Sequence, residues 1–220
     1  MIHIAIAEKH TLVRRCLSLF INASDQMKVV AEISDSRELF PALAAQSADV
    51  LLLDLGMPGM NGFHTAGRIS ELFPRLKILV LTVTADQSTI RNVIRLGLHG
   101  YFTKNTDPKE LQNAILKLQD NGFYFEKHLA DIIEPLLKDQ PAGSAAKDQV
   151  AISRREKEII LLTAKELCGK EIAAHLDIAY KTVQRHKENL IRKTGAKNFM
   201  GVLIYALSRH ILSVEDLNTG

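Results

Sequence analysis

The sequence predicts an α/β domain built on a five-stranded, doubly wound parallel sheet, followed by a smaller all-α domain of four helices. Three observations carry that reading. Short aliphatic runs alternate with helical patterns from Ile2 to Asp120, a stretch holding Pro141, Gly143 and Ser144 interrupts them, and only helical periodicity follows.

The aliphatic runs are Ile2 to Ala7, Val29 to Ile33, Val50 to Leu53, Ile78 to Thr82 and Gly100 to Phe102. Strands covered on both faces have that composition. Residues 10–23, 36–47, 63–73, 86–97 and 107–120 have room for helices, and Asp107-Pro108 gives the last an N-cap and a proline at its first position. Right-handed crossovers then cover both faces of a sheet of order 2-1-3-4-5. The apolar triplet Phe123-Tyr124-Phe125 leads into a short helix, and Lys138 to Val150 reads as a linker. Beyond it Ser153 and Glu156 form a capping box, and four helical segments run to about Leu212. The domains expected are 1–122, a linker with a short helix at 123–150, and 151–214.

The chain has 220 residues, 46% hydrophobic and 24% charged, which excludes disorder and collagen-like repeats. No apolar run reaches the roughly 18 to 20 residues of a membrane span. Met1-Ile2-His3-Ile4 lacks the basic start of a signal peptide, so a cytoplasmic protein without a membrane partner is expected. Cys16 and Cys168 have no metal-ligand spacing and read as buried or idle thiols, which excludes a zinc module. Charge is uneven: residues 1–146 carry 15 Lys+Arg against 16 Asp+Glu, and 147–220 carry 13 against 9.

In a doubly wound sheet, ligand sites form beyond the carboxyl ends of the strands. Glu8-Lys9, Asp54, Thr82 and Lys104 stand at those ends, and the strand order brings them into one pocket. A strand-end carboxylate beside a second carboxylate suits a hard cation such as Mg²⁺. With it Asp54 becomes a nucleophile toward phosphorus, and Lys104 and Thr82 offer the donors an acyl phosphate needs.

The stretch LLLDLGMPGMNG around Asp54, LVLTVTAD at Thr82 and GYFTK at Lys104 resemble the receiver domain of two-component response regulators, a flavodoxin-like fold, over residues 1–120. The resemblance implies that Asp54 is the phosphoacceptor, Thr82 the hydroxyl switch residue, Tyr101 the rotating aromatic and Lys104 the phosphate-contacting lysine. Glu8, Asp54 and Gly56 would hold Mg²⁺.

One position departs from the family. Receivers carry two adjacent acids after the first strand, and the second, which touches the metal, is here Lys9. An ammonium cannot ligate Mg²⁺ and repels it. Three readings follow: Glu8 and a backbone carbonyl hold a weaker metal and Asp54 is phosphorylated slowly; Lys9 takes the metal's place by pairing with Asp54; or Lys9 points into solvent. A phosphohydrolase resembling the haloacid dehalogenases needs a second Asp two residues after the nucleophile, where Gly56 stands, so no enzyme is expected.

In the second domain Lys170 to Leu176 reads as a short helix, Asp177-Ile178-Ala179 as a turn and Tyr180 to Thr194 as a longer helix. Helical spacing puts Val183, His186, Leu190, Ile191 and Thr194 on one side and Lys181, Gln184, Arg185, Glu188 and Arg192 opposite. From 181 to 197, Lys181, Arg185, Lys187, Arg192, Lys193 and Lys197 stand against Glu188 alone, the footprint of a polyanion partner or of a solvated amphipathic helix. The strings SRREKEII and KEIAAHLDIAYKTVQRHKENLIRKTGA resemble the LuxR/NarL-type helix-turn-helix domain over 151–212.

By that resemblance Gln184, Arg185 and Glu188 approach bases, while Lys170, Lys181, Thr182, Arg192, Lys193 and Lys197 are candidates for phosphate contacts. His186, His64 and His99 read as packing or backbone-satisfying histidines, and Glu166 stands where the family often has glycine. The last helix, about Asn198 to Leu212, offers Val202, Leu203, Tyr205, Ala206 and Ile211 to a partner copy, to the four-helix core, or to both. Together the resemblances imply a DNA-binding response regulator controlling transcription in a two-component phosphorelay. Its partners would be double-stranded DNA, a sensor histidine kinase and a second copy on DNA. The alternative is a phosphorylation-independent transcription factor whose switch is set by Lys9 or a partner.

Overall fold

The computed structural model describes residues 1–84, 86–126, 129–138 and 150–218. The chain divides into two compact units, Met1–Gln119 and Asp120–Gly220. The linker expected between Lys138 and Val150 lies outside the described residues.

The first unit alternates β1 (Ile2–Ala7), α1 (Thr11–Asn22), β2 (Met27–Ile33), α2 (Ser36–Ala45), β3 (Val50–Asp54), α3 (Gly62–Leu72), β4 (Lys77–Thr82), α4 (Gln87–Leu96), β5 (Gly100–Thr103) and α5 (Pro108–Asn121), whose last two residues belong to the second unit. All strand pairs are parallel, in the order β2-β1-β3-β4-β5. Val50, Leu51, Leu52 and Leu53 are each 0% exposed, as are Ile78, Leu79 and Val80. Unbroken aliphatic runs are required there because helices cover both faces, and each such side chain contributes about 1.5–3 kcal/mol on burial. β3 runs one residue further than the sequence pattern suggests, since Asp54 pairs in register with Leu81. That pairing holds the carboxylate at the sheet's rim. Asp35, Asn61 and Asp86 accept from the backbone N–H groups of Arg37, His64 and Thr89, starting α2, α3 and α4 just beyond the same rim.

The second unit contains α6 (Leu129–Lys138), α7 (Arg154–Ala164), α8 (Gly169–His175), α9 (Tyr180–Thr194), α10 (Phe199–Ser208) and α11 (Glu215–Asn218). The four expected helices are joined by α6, which packs on α10 and α11, and by α11, which packs on α7. The capping box is formed: Ser153 Oγ accepts from Glu156 N–H and the Ser153 N–H donates to the Glu156 carboxylate. α9 stops at Gly195 with φ 68°, a left-handed conformation that glycine adopts without strain. After α7 the chain takes the same conformation at Glu166, φ 62°. Val202, Leu203 and Ala206 are each 0% exposed, so α10 spends most of its apolar stripe inside its own unit and leaves half-buried Tyr205. Cys16 is exposed rather than buried, and both thiols are free. Among the described residues no helix is long and apolar enough to cross a membrane.

Candidate functional site

The carboxyl edge of the sheet gathers acids and ammoniums. The turn after β1 delivers Glu8, 0% exposed, β3 ends on Asp54, 6% exposed, and Lys104 follows β5. Lys104 Nζ lies 2.5 Å from Glu8 Oε2 and 3.1 Å from Asp54 Oδ2, and its backbone N–H donates to the Thr82 carbonyl, tying it to β4. Asp54 Oδ1 accepts from Gly56 N–H at 2.9 Å. Glu8 Oε1 accepts from the His10 N–H and meets the His10 ring Nδ1, each at 2.8 Å. Burial alone would push the Glu8 carboxyl up, but the bonds from Lys104 and His10 outweigh it and hold Glu8 below the usual carboxylate range.

Lys9 donates from Nζ to the Gly56 carbonyl at 2.8 Å. This differs from a direct pairing with Asp54, because Lys104 forms that ion pair. A Cβ on Gly56 would lie 3.3 Å from both Lys9 Nζ and Asp54 Oδ1, so ammonium and carboxylate flank the same glycine. Thr82 Oγ1 donates to the Thr84 carbonyl at 2.6 Å, and Tyr101 is 1% exposed. The structure thus brings together Glu8, Lys9, Asp54, Gly56 and Lys104 and leaves the Thr82 hydroxyl on its own loop. His10 joins the cluster unannounced by any motif; its place two residues after Glu8 was the one available signal.

Glu8, His10 and Asp54 each offer a ligand atom, all within 4.8 Å of one another. The set does not fit Mg²⁺ as it stands, because the Gly56 carbonyl carries the Lys9 ammonium and both carboxylates carry Lys104.

In the second unit α9 exposes Lys181, Thr182, Arg185, Glu188 and Arg192 and buries Val183 and Leu190. Lys170 and Lys197 are exposed beside it. Gln184 is half-buried and donates to the Asp120 carbonyl at 3.2 Å. Lys187, counted in the basic run, is only 4% exposed: its Nζ meets Asn121 Oδ1 at 3.2 Å and sits 5.4 Å over the Phe199 ring. Lys193 Nζ holds the Glu156 carboxylate at 2.7 and 2.9 Å. His186 is half-buried, whereas His64 is exposed and packs nothing away. His99 Nδ1 accepts from Ile78 N–H at 3.1 Å, and burial, aided by the Lys77 charge, brings its pKa down to about 4.

Residues 4–116 match the response regulator receiver domain, and residues 150–206 match the bacterial regulatory proteins of the luxR family. Over 213 residues the chain is 33% identical to the oxygen regulatory protein NreC of Staphylococcus aureus, spanning 95% of this chain and 98% of that one. Among solved structures, the RcsB response regulator of Salmonella typhimurium aligns with TM-score 0.56 and 28% identity over 93% of this chain and 98% of its own. RcsB from Salmonella enterica serovar Typhimurium bound to promoter rprA in the presence of phosphomimetic BeF3⁻ aligns with TM-score 0.55 and 27% identity, over 95% and 100%. RcsB is also known as two dimers bound to two parallel DNAs, similar with TM-score 0.52 and 26% identity over 94% and 98%.

Proposed function

The chain belongs to the response regulators that join a receiver domain to a luxR-family regulatory domain, and from that premise we propose that it controls transcription by binding DNA, with Asp54 as phosphoacceptor. The observation that carries the reading is the Asp54 carboxylate at the end of β3, ion-paired with Lys104. Asp54 attacks the phosphorus of a donor, the bond from phosphorus to the leaving group breaks with its electron pair, and Lys104 meets the charge of the acyl phosphate. Phosphoryl oxygens are stronger acceptors than the Thr84 carbonyl, so the Thr82 hydroxyl transfers to them and Tyr101 repacks. The two arrangements form an equilibrium that phosphorylation biases.

α9 enters the major groove, where Gln184, Arg185 and Glu188 meet base edges. Gln184 exchanges Asp120 for a base. Lys170, Lys181, Thr182, Arg192, Lys193 and Lys197 contact phosphates, and Lys193 shares its charge with Glu156. A homodimer reads two half-sites, a sensor histidine kinase supplies the phosphoryl group, and the setting is the cytoplasm. RcsB bound to a promoter supports the DNA-binding half of this reading.

Fluorescence anisotropy on a duplex selected from random sequence, across a salt series, tests it. Affinity should fall linearly with salt on logarithmic axes, and acetyl phosphate should tighten binding by the wild type but not by Asp54→Ala. Absence of salt-dependent affinity for any duplex removes the DNA reading. Equal tightening in Asp54→Ala removes Asp54 from it.

A further inference from the structure

We propose that the exposed Lys9 side chain places its ammonium in the seat a divalent cation would take between the Gly56 carbonyl and Asp54, so that this receiver works without a metal. The inference rests on Asp54 being the phosphoacceptor and concerns how its pocket is neutralised. Magnesium binds through oxygen lone pairs in near-octahedral geometry. Here the protein oxygens that face the seat already meet an N–H donor or an ammonium, buried Asp54 Oδ2 being held by the Lys104 charge at 3.1 Å without a hydrogen bond. The Gly56 carbonyl accepts from Lys9, Asp54 Oδ1 from Gly56 N–H, Glu8 Oε1 from His10 N–H, and Lys104 holds both Glu8 Oε2 and Asp54 Oδ2.

Charge leads to the same place. Two carboxylates, Glu8 and Asp54, face two ammoniums, Lys9 and Lys104, so the pocket is neutral with nothing bound. An acid in place of Lys9 would set three carboxylates against one ammonium, a deficit that one divalent cation fills. With Lys9 present, the same cation adds uncompensated positive charge to a pocket whose two acids are nearly inaccessible to water. A phosphoryl group on Asp54 would find two ammoniums in its vicinity, Lys104 on the carboxylate and Lys9 beside Gly56.

The test is binding of Mn²⁺, followed by the loss of its free-ion paramagnetic resonance signal and competed with Mg²⁺, to full-length wild type, Lys9→Asp and Lys9→Met. Lys9→Asp should bind one Mn²⁺ on the order of a hundredfold more tightly than wild type, since one charge a few ångströms from a divalent ion changes sign. Lys9→Met, which removes the ammonium without adding an acid, should fall between. Wild-type binding within about tenfold of Lys9→Asp overturns the proposal. So does a folded Lys9→Asp that gains no binding, and if that variant fails to fold, Lys9→Met decides by the same comparison. In parallel, mass labelling of Asp54 by acetyl phosphate should be equal in EDTA and in Mg²⁺ for the wild type, and a strict Mg²⁺ requirement overturns the proposal. Failure of Asp54 to label in any protein removes the phosphoacceptor reading instead, while the Mn²⁺ titration still decides what Lys9 does.

Discussion

Glu166 takes φ 62° two residues after α7, a conformation that crowds the Cβ of any residue except glycine. Glu166→Gly should therefore raise stability by about 0.5–1 kcal/mol, read as a higher urea midpoint at unchanged slope. His99 works in the opposite sense. Its folded-state pKa of about 4 lies below the ordinary value near 6.5, so as pH falls the unfolded chain takes up the proton first. The stability it contributes is complete above about pH 6.5 and drains away toward pH 4, by at most about 1.4 kcal/mol per unit. His99→Gln should flatten that part of the stability curve, which urea melts between pH 7 and 4 would show. At this scale the sequence was readable wherever a residue broke a motif, as Lys9 and Glu166 do. It could not say which oxygen Lys9 would choose, because that depends on the turn that brings the Gly56 carbonyl within reach.

Among the elements, α9 separates two kinds of cation. Arg185 projects to solvent, whereas Lys193 also holds Glu156, a carboxylate only 3% exposed. Burial would raise the Glu156 carboxyl, but Lys193 and the Ser153 cap hold it below its ordinary range. Lys193→Met should lower stability by about 1–3 kcal/mol, because it strands a buried acid. Arg185→Ala should leave stability within about 0.5 kcal/mol and weaken DNA binding. Thermal melts and anisotropy on the same two proteins separate the effects; equal stability loss in both would contradict this division. Periodicity alone sorts Val183 and Leu190 inward correctly, since their spacing is helical. It counts Lys187 as surface charge because the cover, Phe199 and Asn121, comes from outside α9. For the same reason the apolar residues of α10 did not reveal their destination until the helices packing on them were in place.

Over the whole molecule the legible features were those that repetition encodes. Five βα units with both faces covered imply a doubly wound sheet, and the order β2-β1-β3-β4-β5 places Glu8, Asp54 and Lys104 at one rim. Helices α6 and α11 were less legible, one short and beside a linker, the other four residues long near the end of the chain. The proposed coupling of site to output runs through Thr82. Thr82→Ala should take up phosphoryl groups on Asp54 to the same extent as wild type, yet lose most of the tightening of DNA binding that follows. Intact mass and anisotropy on the same samples check that, and retained tightening would place the coupling elsewhere. Whether Asp54 accepts a phosphoryl group is read from the intact mass of the full-length protein after incubation with acetyl phosphate. The wild type should gain the mass of one phosphoryl group and Asp54→Ala none; an unchanged wild-type mass, under conditions that label an ordinary receiver, would remove Asp54 as the phosphoacceptor.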